Sequence, residues 1–148
     1  MLRFLSVLFG SALGLLTLTG CPDESSDLPK TVAASGVVTL DGKPVEGAQV
    51  VFIDDTSNKS ADAMSDSKGQ FSLNAFPGQK TGAQPGSYKV QVSKTIEKKL
   101  GGTNADGGEN VAWEFGVPKH YSNFNKSGLT ATIPEEGARD LKIELKSK

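Results

Sequence analysis

From Ser35 onward, the sequence alternates between apolar and polar residues in short runs that are separated by turn residues. In the clearest run, Tyr88–Lys94, the tyrosine and the two valines fall on one face of a strand and the polar residues on the other. Asp41-Gly42 and Asp66–Gly69 are typical of tight turns between such strands. After residue 20, no segment repeats its apolar residues with the period of a helix. The pattern therefore predicts an all-β chain folded as an antiparallel sandwich of about seven strands.

The same runs indicate which side chains form the core. The candidate strands are Gly36–Leu40, Ala48–Ile53, Ala61–Ser65, Gln70–Asn74, Tyr88–Lys94, Leu129–Ile133 and Leu141–Leu145. The expected core consists of Val38, Leu40, Val50, Phe52, Phe71, Leu73, Tyr88, Val90, Val92, Leu141, Ile143 and Leu145. Asp41-Gly42 predicts a hairpin between the first two strands. Across this hairpin, we expect two side chains of the second strand to contact two of the first: Val50 and Phe52 with Val38 and Leu40.

The first 20 residues have the layout of a secretory signal peptide, with Arg3 in front of the apolar run Phe4–Leu18. The run falls short of the roughly 20 apolar residues that cross a bilayer. It ends in Leu-Thr-Gly-Cys21, which resembles the lipobox of bacterial lipoproteins. That resemblance implies cleavage before Cys21 and attachment of acyl chains, palmitate among them, to this residue. An uncleaved membrane anchor and a plain signal peptide are the alternatives.

Domain organisation follows from the composition of the remaining chain. Residues 21–33 are polar and aperiodic, which predicts a flexible tether, and residues 34–147 suit a single domain. Residues 97–126 interrupt the alternation and predict a long loop insertion with a mobile glycine-rich front and a packed aromatic rear. Acidic and basic residues are interspersed, so no basic patch favours nucleic acid. We expect an exported monomer, anchored by lipid in the cell envelope on its periplasmic or outer face.

Several motifs resemble those of known families. The string Gly36–Phe52 is similar to the opening of carboxypeptidase regulatory-like domains, and the similarity continues through Asp66–Leu73 and Pro85–Val92. This resemblance implies a transthyretin-like, immunoglobulin-like β-sandwich. With Pro118–Ser122 and Ser127–Leu129, the whole chain also resembles small planctomycete-type lipoproteins. These resemblances imply a fold and a compartment, and they imply no activity.

Residues that carry chemistry are few. His120 is the only histidine and Cys21 the only cysteine, a set too small for an ordinary zinc site. No Gly-x-Ser-x-Gly elbow or pair of catalytic groups is present, so we expect no enzyme, no cofactor and no metal site. A calcium site is an alternative, formed by the carboxylates of Asp54-Asp55, Asp62 and Asp66. Because their spacing is not that of a calcium loop, we expect solvated turn carboxylates.

Aromatic residues in the second half of the insertion are the candidate recognition surface. Trp113, His120 and Tyr121 combine large rigid area with polar groups, which is typical of anchors in protein and glycan sites. Alternatively, they cover the open end of the sandwich. The favoured hypothesis is a non-catalytic, lipid-anchored envelope module that binds protein or glycan. The alternatives are a structural envelope lipoprotein without a ligand and, more distantly, a small hydrolase.

Overall fold

The described residues form ten β-strands and one short 3₁₀ turn, Lys119–Ser122. The computed structural model describes residues 28–76 and 80–148. The predicted signal peptide, Cys21 and most of the predicted tether lie outside the described residues. The strands are β1 Ala34–Leu40, β2 Lys43–Pro44, β3 Gln49–Asp54, β4 Lys59–Met64, β5 Gln70–Ser72, β6 Gly86–Ser93, β7 Thr95–Thr103, β8 Glu109–Phe115, β9 Leu129–Ile133 and β10 Ala138–Leu145. Across the described ranges, no helix has the length and apolar character needed to cross a membrane.

Two sheets form the sandwich. In the first sheet, β1 pairs with β10 along one edge, and with β2 and β5 along the other. In the second sheet the strand order is β4-β3-β6-β9. The prediction of an all-β sandwich is confirmed, and each candidate strand coincides with an observed strand. The additional strands are β2, β7 and β8.

One pair departs from the antiparallel expectation, since β1 and β10 run parallel from Gly36 opposite Leu141 to Leu40 opposite Leu145. The chain leaves β9 in the second sheet and turns at Pro134–Gly137, where the backbone N–H of Gly137 donates to the carbonyl of Pro134 at 2.9 Å. It thereby crosses to the first sheet and enters β10 in the direction of β1. Such a crossing leaves no local signature in the strand residues themselves.

The predicted facing of the first hairpin is wrong. The turn at Asp41-Gly42 forms, but β2 pairs with β1 for two residues only, before the chain crosses to the second sheet. There Val50 lies opposite Val92, and Phe52 lies opposite Val90. The crossing occurs at Gly47, whose φ of 63° lies in the left-handed region that favours glycine.

A buried serine holds this crossing in place. The Ser65 hydroxyl donates to the carbonyl of Val45 at 2.6 Å and accepts from the backbone N–H of Ala48 at 2.8 Å. Both bonded groups flank Gly47, so one side chain satisfies the backbone on either side of the bend. Ser65 is therefore a structural residue of the sandwich.

The predicted core is confirmed for all of its members except Leu40 and Leu141, which are partly buried and pack against it. Its centre is aromatic: the ring centroids of Phe52 and Phe71, which belong to different sheets, lie 6.3 Å apart. Phe52 also packs on Tyr88 at 5.9 Å. The Tyr88 hydroxyl donates to the carbonyl of Gln84 at 2.6 Å, so its polar end is satisfied.

Residues before position 34 also belong to the sandwich. Val32, which the sequence places in the tether, exchanges two backbone hydrogen bonds with Ala83, at 2.8 and 3.0 Å. Next to it, Ala33 runs so close to Gly137 that a Cβ on that glycine would lie 2.6 Å from the Ala33 carbonyl oxygen. The end of the predicted tether is therefore built into the sandwich.

Residues 97–126 do not form a long loop. Strands β7 and β8 pair with each other as a separate two-stranded antiparallel sheet, which we call the hairpin. The ladder is regular from Thr95 to Lys99 and has an irregularity before Thr103. The rest of the segment contains the 3₁₀ turn and the return to β9. The predicted mobile, glycine-rich front of a loop is thus the outer half of a paired hairpin.

Candidate recognition surface

The register of the hairpin determines which side chains share a face. Residues directly opposite each other in an antiparallel pair project to the same side. On one side, β8 contributes three apolar residues and β7 three polar ones. We call this side the aromatic face, and its members are Val111, Trp113 and Phe115, opposite Lys99, Glu97 and Thr95, respectively.

The apolar residues of the aromatic face are open to solvent. Trp113 is 62% exposed, Phe115 56% and Val111 37%. They follow one another at every second position, so neighbouring side chains are about 7 Å apart along the strand. A continuous row of large exposed apolar side chains is uncommon on a soluble domain and is typical of interaction sites.

Ion pairs lie on both faces of the hairpin. Lys99 pairs with Glu109 at 2.7 Å, and on the opposite face of the hairpin Lys98 pairs with Glu114 at 2.9 Å. Lys119, at the base of the hairpin, places its ammonium 5.4 Å from the centre of the Phe115 ring. Exposed pairs of this kind add little stability. Their effect is to pair the two lysines of β7 with glutamates of β8.

The tip of the hairpin is held by its own hydrogen bonds. The Asn104 side-chain oxygen accepts from the backbone N–H of Gly108 at 2.7 Å. The backbone N–H of Asn104 donates to the Gly108 carbonyl at 2.8 Å, and that of Gly107 donates to the Asn104 carbonyl at 3.0 Å. An asparagine that bonds to backbone groups in this way is typical of ordered turns. These hydrogen bonds therefore hold β7 and β8 together at the end of the hairpin that is remote from its base.

The base of the hairpin and the pairing of Val32 with Ala83 lie at opposite ends of β1. The backbone N–H of Gly116 donates to the Lys94 carbonyl at 2.8 Å and closes the base of the hairpin. This base borders the turn after β1, across a cavity of about 350 Å³ that Asp41 helps to line. The pairing of Val32 with Ala83 lies before the start of β1, a strand of seven residues. The two ends are thus separated by roughly 20 Å.

The predicted site residues separate into two groups. Trp113 lies on the aromatic face, whereas His120 and Tyr121 lie in the 3₁₀ turn. Tyr121 is only 7% exposed, and its hydroxyl oxygen accepts from the backbone N–H of Lys146 at 3.0 Å. Tyr121 is therefore a core residue, which corrects its prediction as a binding anchor. His120 is exposed and stacks on the Tyr121 ring, with centroids 3.9 Å apart.

The hypothesis that the aromatic cluster covers the sandwich thus describes part of it, and the recognition hypothesis stays a prediction for the rest. Tyr121 and the buried Val117 cover the end of the sandwich, while Trp113 and Phe115 project away from it. The sequence contained a signal for this division. Asn110–Phe115 places Val111, Trp113 and Phe115 at every second position, which is the pattern of a strand rather than of a loop.

The acidic residues considered for calcium serve in turns and strands. Asp54 accepts three hydrogen bonds from Thr56 and Ser57, and these bonds lower its pKa to about 2. Asp55 pairs with Lys89 at 2.9 Å, and the hydrogen bond from this lysine lowers the pKa of Asp55. Asp66 accepts from two backbone N–H groups of its own turn, both at 2.8 Å. Within residues 28–76 and 80–148, no three His, Cys, Asp or Glu side chains are grouped to hold a metal ion.

A concave surface lies on the first sheet, and sequence reasoning missed it. Its volume is about 660 Å³, and its lining includes Ser35, Asp66, Gln70, Arg139 and Lys142. The register of β10 against β1 shifts where the chain passes Arg139, between the pairs of Ala34 and Gly36. Bulges of this kind redirect side chains. The lining mixes both charges with amides and hydroxyls, so it favours no single class of ligand.

Comparison with protein families gives a match over residues 34–128, which is most of the domain, to a model described as a domain of unknown function, DUF6795. The chain belongs to the DUF6795 family. The matched range includes the whole hairpin and the 3₁₀ turn and ends before β9. The hairpin is therefore part of the DUF6795 domain itself.

Other comparisons add little to the DUF6795 match. No curated protein matches the chain significantly. Among solved structures, the chain is similar to a 9R-lipoxygenase from Cyanothece, with 11% identity and a TM-score of 0.35. The alignment covers 78% of this chain and 16% of the lipoxygenase chain. A likeness this weak supports no inference about activity.

Proposed function

We propose that this protein is a non-catalytic binding module of the cell envelope, anchored by lipid on Cys21, that engages a protein or glycan through the aromatic face. One observation carries the proposal: Val111, Trp113 and Phe115 form an exposed row on a hairpin outside the core. The resemblance to planctomycete-type lipoproteins and to carboxypeptidase regulatory-like, transthyretin-like domains supports the envelope location.

The energetics of the exposed row support a binding role. Burial of a large apolar side chain contributes roughly 1.5–3 kcal/mol, and the fold forgoes that contribution at three consecutive positions of one strand face. Tryptophan is also the residue most enriched among those that dominate binding free energies. A partner that covers Trp113 would recover the free energy that the isolated domain lacks.

The position of the hairpin supports the same proposal. The pairing of Val32 with Ala83 lies at the end of β1 that is remote from the base of the hairpin. A lipid on Cys21 would therefore attach on the side of the domain that is remote from the base of the hairpin. In that arrangement the membrane holds one end of the domain and the aromatic face remains accessible to partners at the other.

Cross-linking in living cells tests the binding role. A photoreactive residue at position 111 should cross-link to a specific partner in a protein with native Trp113, and Trp113→Ala should abolish the cross-link. Met64→Ala is the matched control, because Met64 is 63% exposed and lies on β4. Absent cross-links would favour the alternative of a structural envelope lipoprotein without a ligand. Cross-links that persist in Trp113→Ala would refute the aromatic face as the binding site.

The anchor is tested separately through Cys21. Cys21→Ser should prevent acylation and move the protein from the detergent phase to the aqueous phase, or leave an uncleaved precursor. Mass spectrometry of the mature amino terminus checks the expected start and modification. An unmodified protein that begins at another residue and stays in the aqueous phase would refute the lipid anchor.

A further inference from the structure

The aromatic face is apolar along one strand and polar along the other. On β8 it carries the row Val111, Trp113 and Phe115, and directly beside this row β7 carries Thr95 and Glu97. A ligand that lies on the rings thus meets a hydroxyl and a carboxylate at its edge. A ligand of this face must therefore have an apolar surface that packs on the rings and, at its edge, polar groups that form hydrogen bonds with β7.

We infer that the ligand of the aromatic face is an uncharged polysaccharide, an inference that rests on the proposed function above. A pyranose ring has a flat face of C–H groups and a rim of hydroxyls. The C–H groups carry partial positive charge and are attracted to the negative face of an aromatic ring. The hydroxyls at the rim can donate to Glu97 and exchange hydrogen bonds with Thr95.

The charges of the face disfavour an anionic ligand. Lys99 is engaged by Glu109 at 2.7 Å, and Lys119 lies over the Phe115 ring at the base. The charge beside Trp113 is the carboxylate of Glu97. A polyanion would meet this negative charge next to its main anchor, whereas an uncharged sugar can use the same carboxylate as an acceptor.

The size of the face disfavours a protein surface as its main partner. Two strands side by side are about 10 Å wide, and seven residues extend about 24 Å, so the face offers roughly 240 Å². A stable interface needs roughly 800 Å² from each partner. The face is instead a narrow strip with three apolar side chains in line, which suits an extended chain of linked rings.

A bilayer is disfavoured because its hydrocarbon does not tolerate the polar side of the strip. Insertion of Trp113 to the depth of the acyl chains would carry Glu97 with it, since the two residues are directly opposite each other. Burial of an ionised carboxylate in hydrocarbon is strongly unfavourable. The strip is thus suited to a ligand that is apolar on one side and hydroxylated on the other.

Trp113 is the only tryptophan of the chain, so its fluorescence reports on this face alone. The probe is protein-free neutral polysaccharide extracted from the envelope of the producing organism, titrated into the full-length protein. We expect a saturable change in Trp113 emission. Affinity electrophoresis in gels containing the same polysaccharide should show retardation of the native protein and of Met64→Ala, and none of Trp113→Ala.

Three further variants sharpen the assignment. Phe115→Ala should weaken binding at least tenfold, because it removes the neighbouring platform. Glu97→Ala should weaken it several-fold, whereas Glu97→Gln should retain most of the affinity, because an uncharged ligand needs a hydrogen-bond acceptor and not a charge. Loss of binding in Glu97→Gln that equals the loss in Glu97→Ala would overturn the assignment of an uncharged ligand.

The controls separate this inference from the proposed function. If polygalacturonate or phosphatidylcholine vesicles change the emission and the neutral polysaccharide does not, the polysaccharide inference is wrong. It is also wrong if cells show Trp113-dependent cross-links to a protein while the polysaccharide fails to bind; the proposed binding role then stands. If neither cross-links nor polysaccharide binding depend on Trp113, both are wrong.

Discussion

The sandwich and the hairpin use the same secondary structure for opposite purposes. In β6, every second residue from Tyr88 to Val92 is buried against the other sheet. In β7, all nine residues from Thr95 to Thr103 are exposed, on both faces. The strands of the sandwich are stabilised by burial of apolar side chains. The hairpin is stabilised by the backbone hydrogen bonds between its strands and by those of its tip. A region that contributes little to the core can carry apolar residues chosen for a partner.

The largest expected effect contrasts two phenylalanines. Phe52→Ala should destabilise the protein by about 3–5 kcal/mol, because it opens a cavity between Phe71 and Tyr88 at the centre of the core. Phe115→Ala on the hairpin should change the free energy of unfolding by less than about 0.5 kcal/mol. Urea denaturation of both variants measures the difference. Equal destabilisation would mean that the hairpin is packed like the sandwich.

A second contrast concerns the two aromatic residues that the sequence grouped together. Tyr121→Ala should cost about 2–4 kcal/mol, since it removes a buried ring and leaves the N–H of Lys146 without its partner. Trp113→Ala should leave the melting temperature nearly unchanged. Thermal unfolding followed by circular dichroism checks both variants. A lower melting temperature for Trp113→Ala would show that its side chain supports the fold.

A smaller effect is expected at the crossing between the sheets. Ser65→Ala should destabilise the sandwich by about 1–3 kcal/mol, because the buried N–H of Ala48 and carbonyl of Val45 lose their shared partner. Ser72→Ala, on an exposed position of β5, is the matched control and should be close to neutral. If chemical denaturation gives the same stability for both variants, the serine bridge does not hold the crossing.

The smallest expected effect is a dependence on acid. Hydrogen bonds from Thr56 and Ser57 lower the pKa of Asp54 from 3.8 to about 2 in the folded protein. A lowered pKa means that the folded state holds the ionised form, so this contribution is present above about pH 4 and is lost as the pH falls toward 2. Asp54→Ala should reduce the loss of stability between pH 4 and pH 2, measured by urea unfolding. An unchanged acid slope would contradict this assignment.

Local pattern revealed the strands of the sandwich but not their partners. Val50 and Phe52 alternate with less buried residues because one side of β3 faces the core, and such alternation is visible in a single run. Whether β3 joins the sheet of β1 depends on the bend at Gly47 and on Ser65, which is 18 residues away along the chain. The parallel pairing of β1 with β10 depends on contacts still more distant in sequence.

The candidate surface was predictable only in part. Trp113 was predictable as a binding anchor because it is a large aromatic residue outside the predicted strands. Tyr121 meets the same criterion, and yet it is buried. Only the tertiary structure separates them, since burial of Tyr121 requires the end of β10 to lie beside the 3₁₀ turn. β7 was missed because the polar run Glu97-Lys98-Lys99 exposes both faces and has no apolar side to give a period of two.

The pairing of Val32 with Ala83 has a mechanical consequence. Tension between the proposed lipid at Cys21 and a partner on the hairpin would reach β1 from the side of Val32 and pull the strand along its own axis. Strand β1 lies between β10 on one edge and β2 with β5 on the other, so its ladders are loaded in shear. Bonds in shear share a load and fail together, whereas a strand peeled from its end loses them one at a time. If the proposed lipid and partner hold the domain at these two points, the load falls on its sheet in the direction in which a β-sheet best resists being pulled apart.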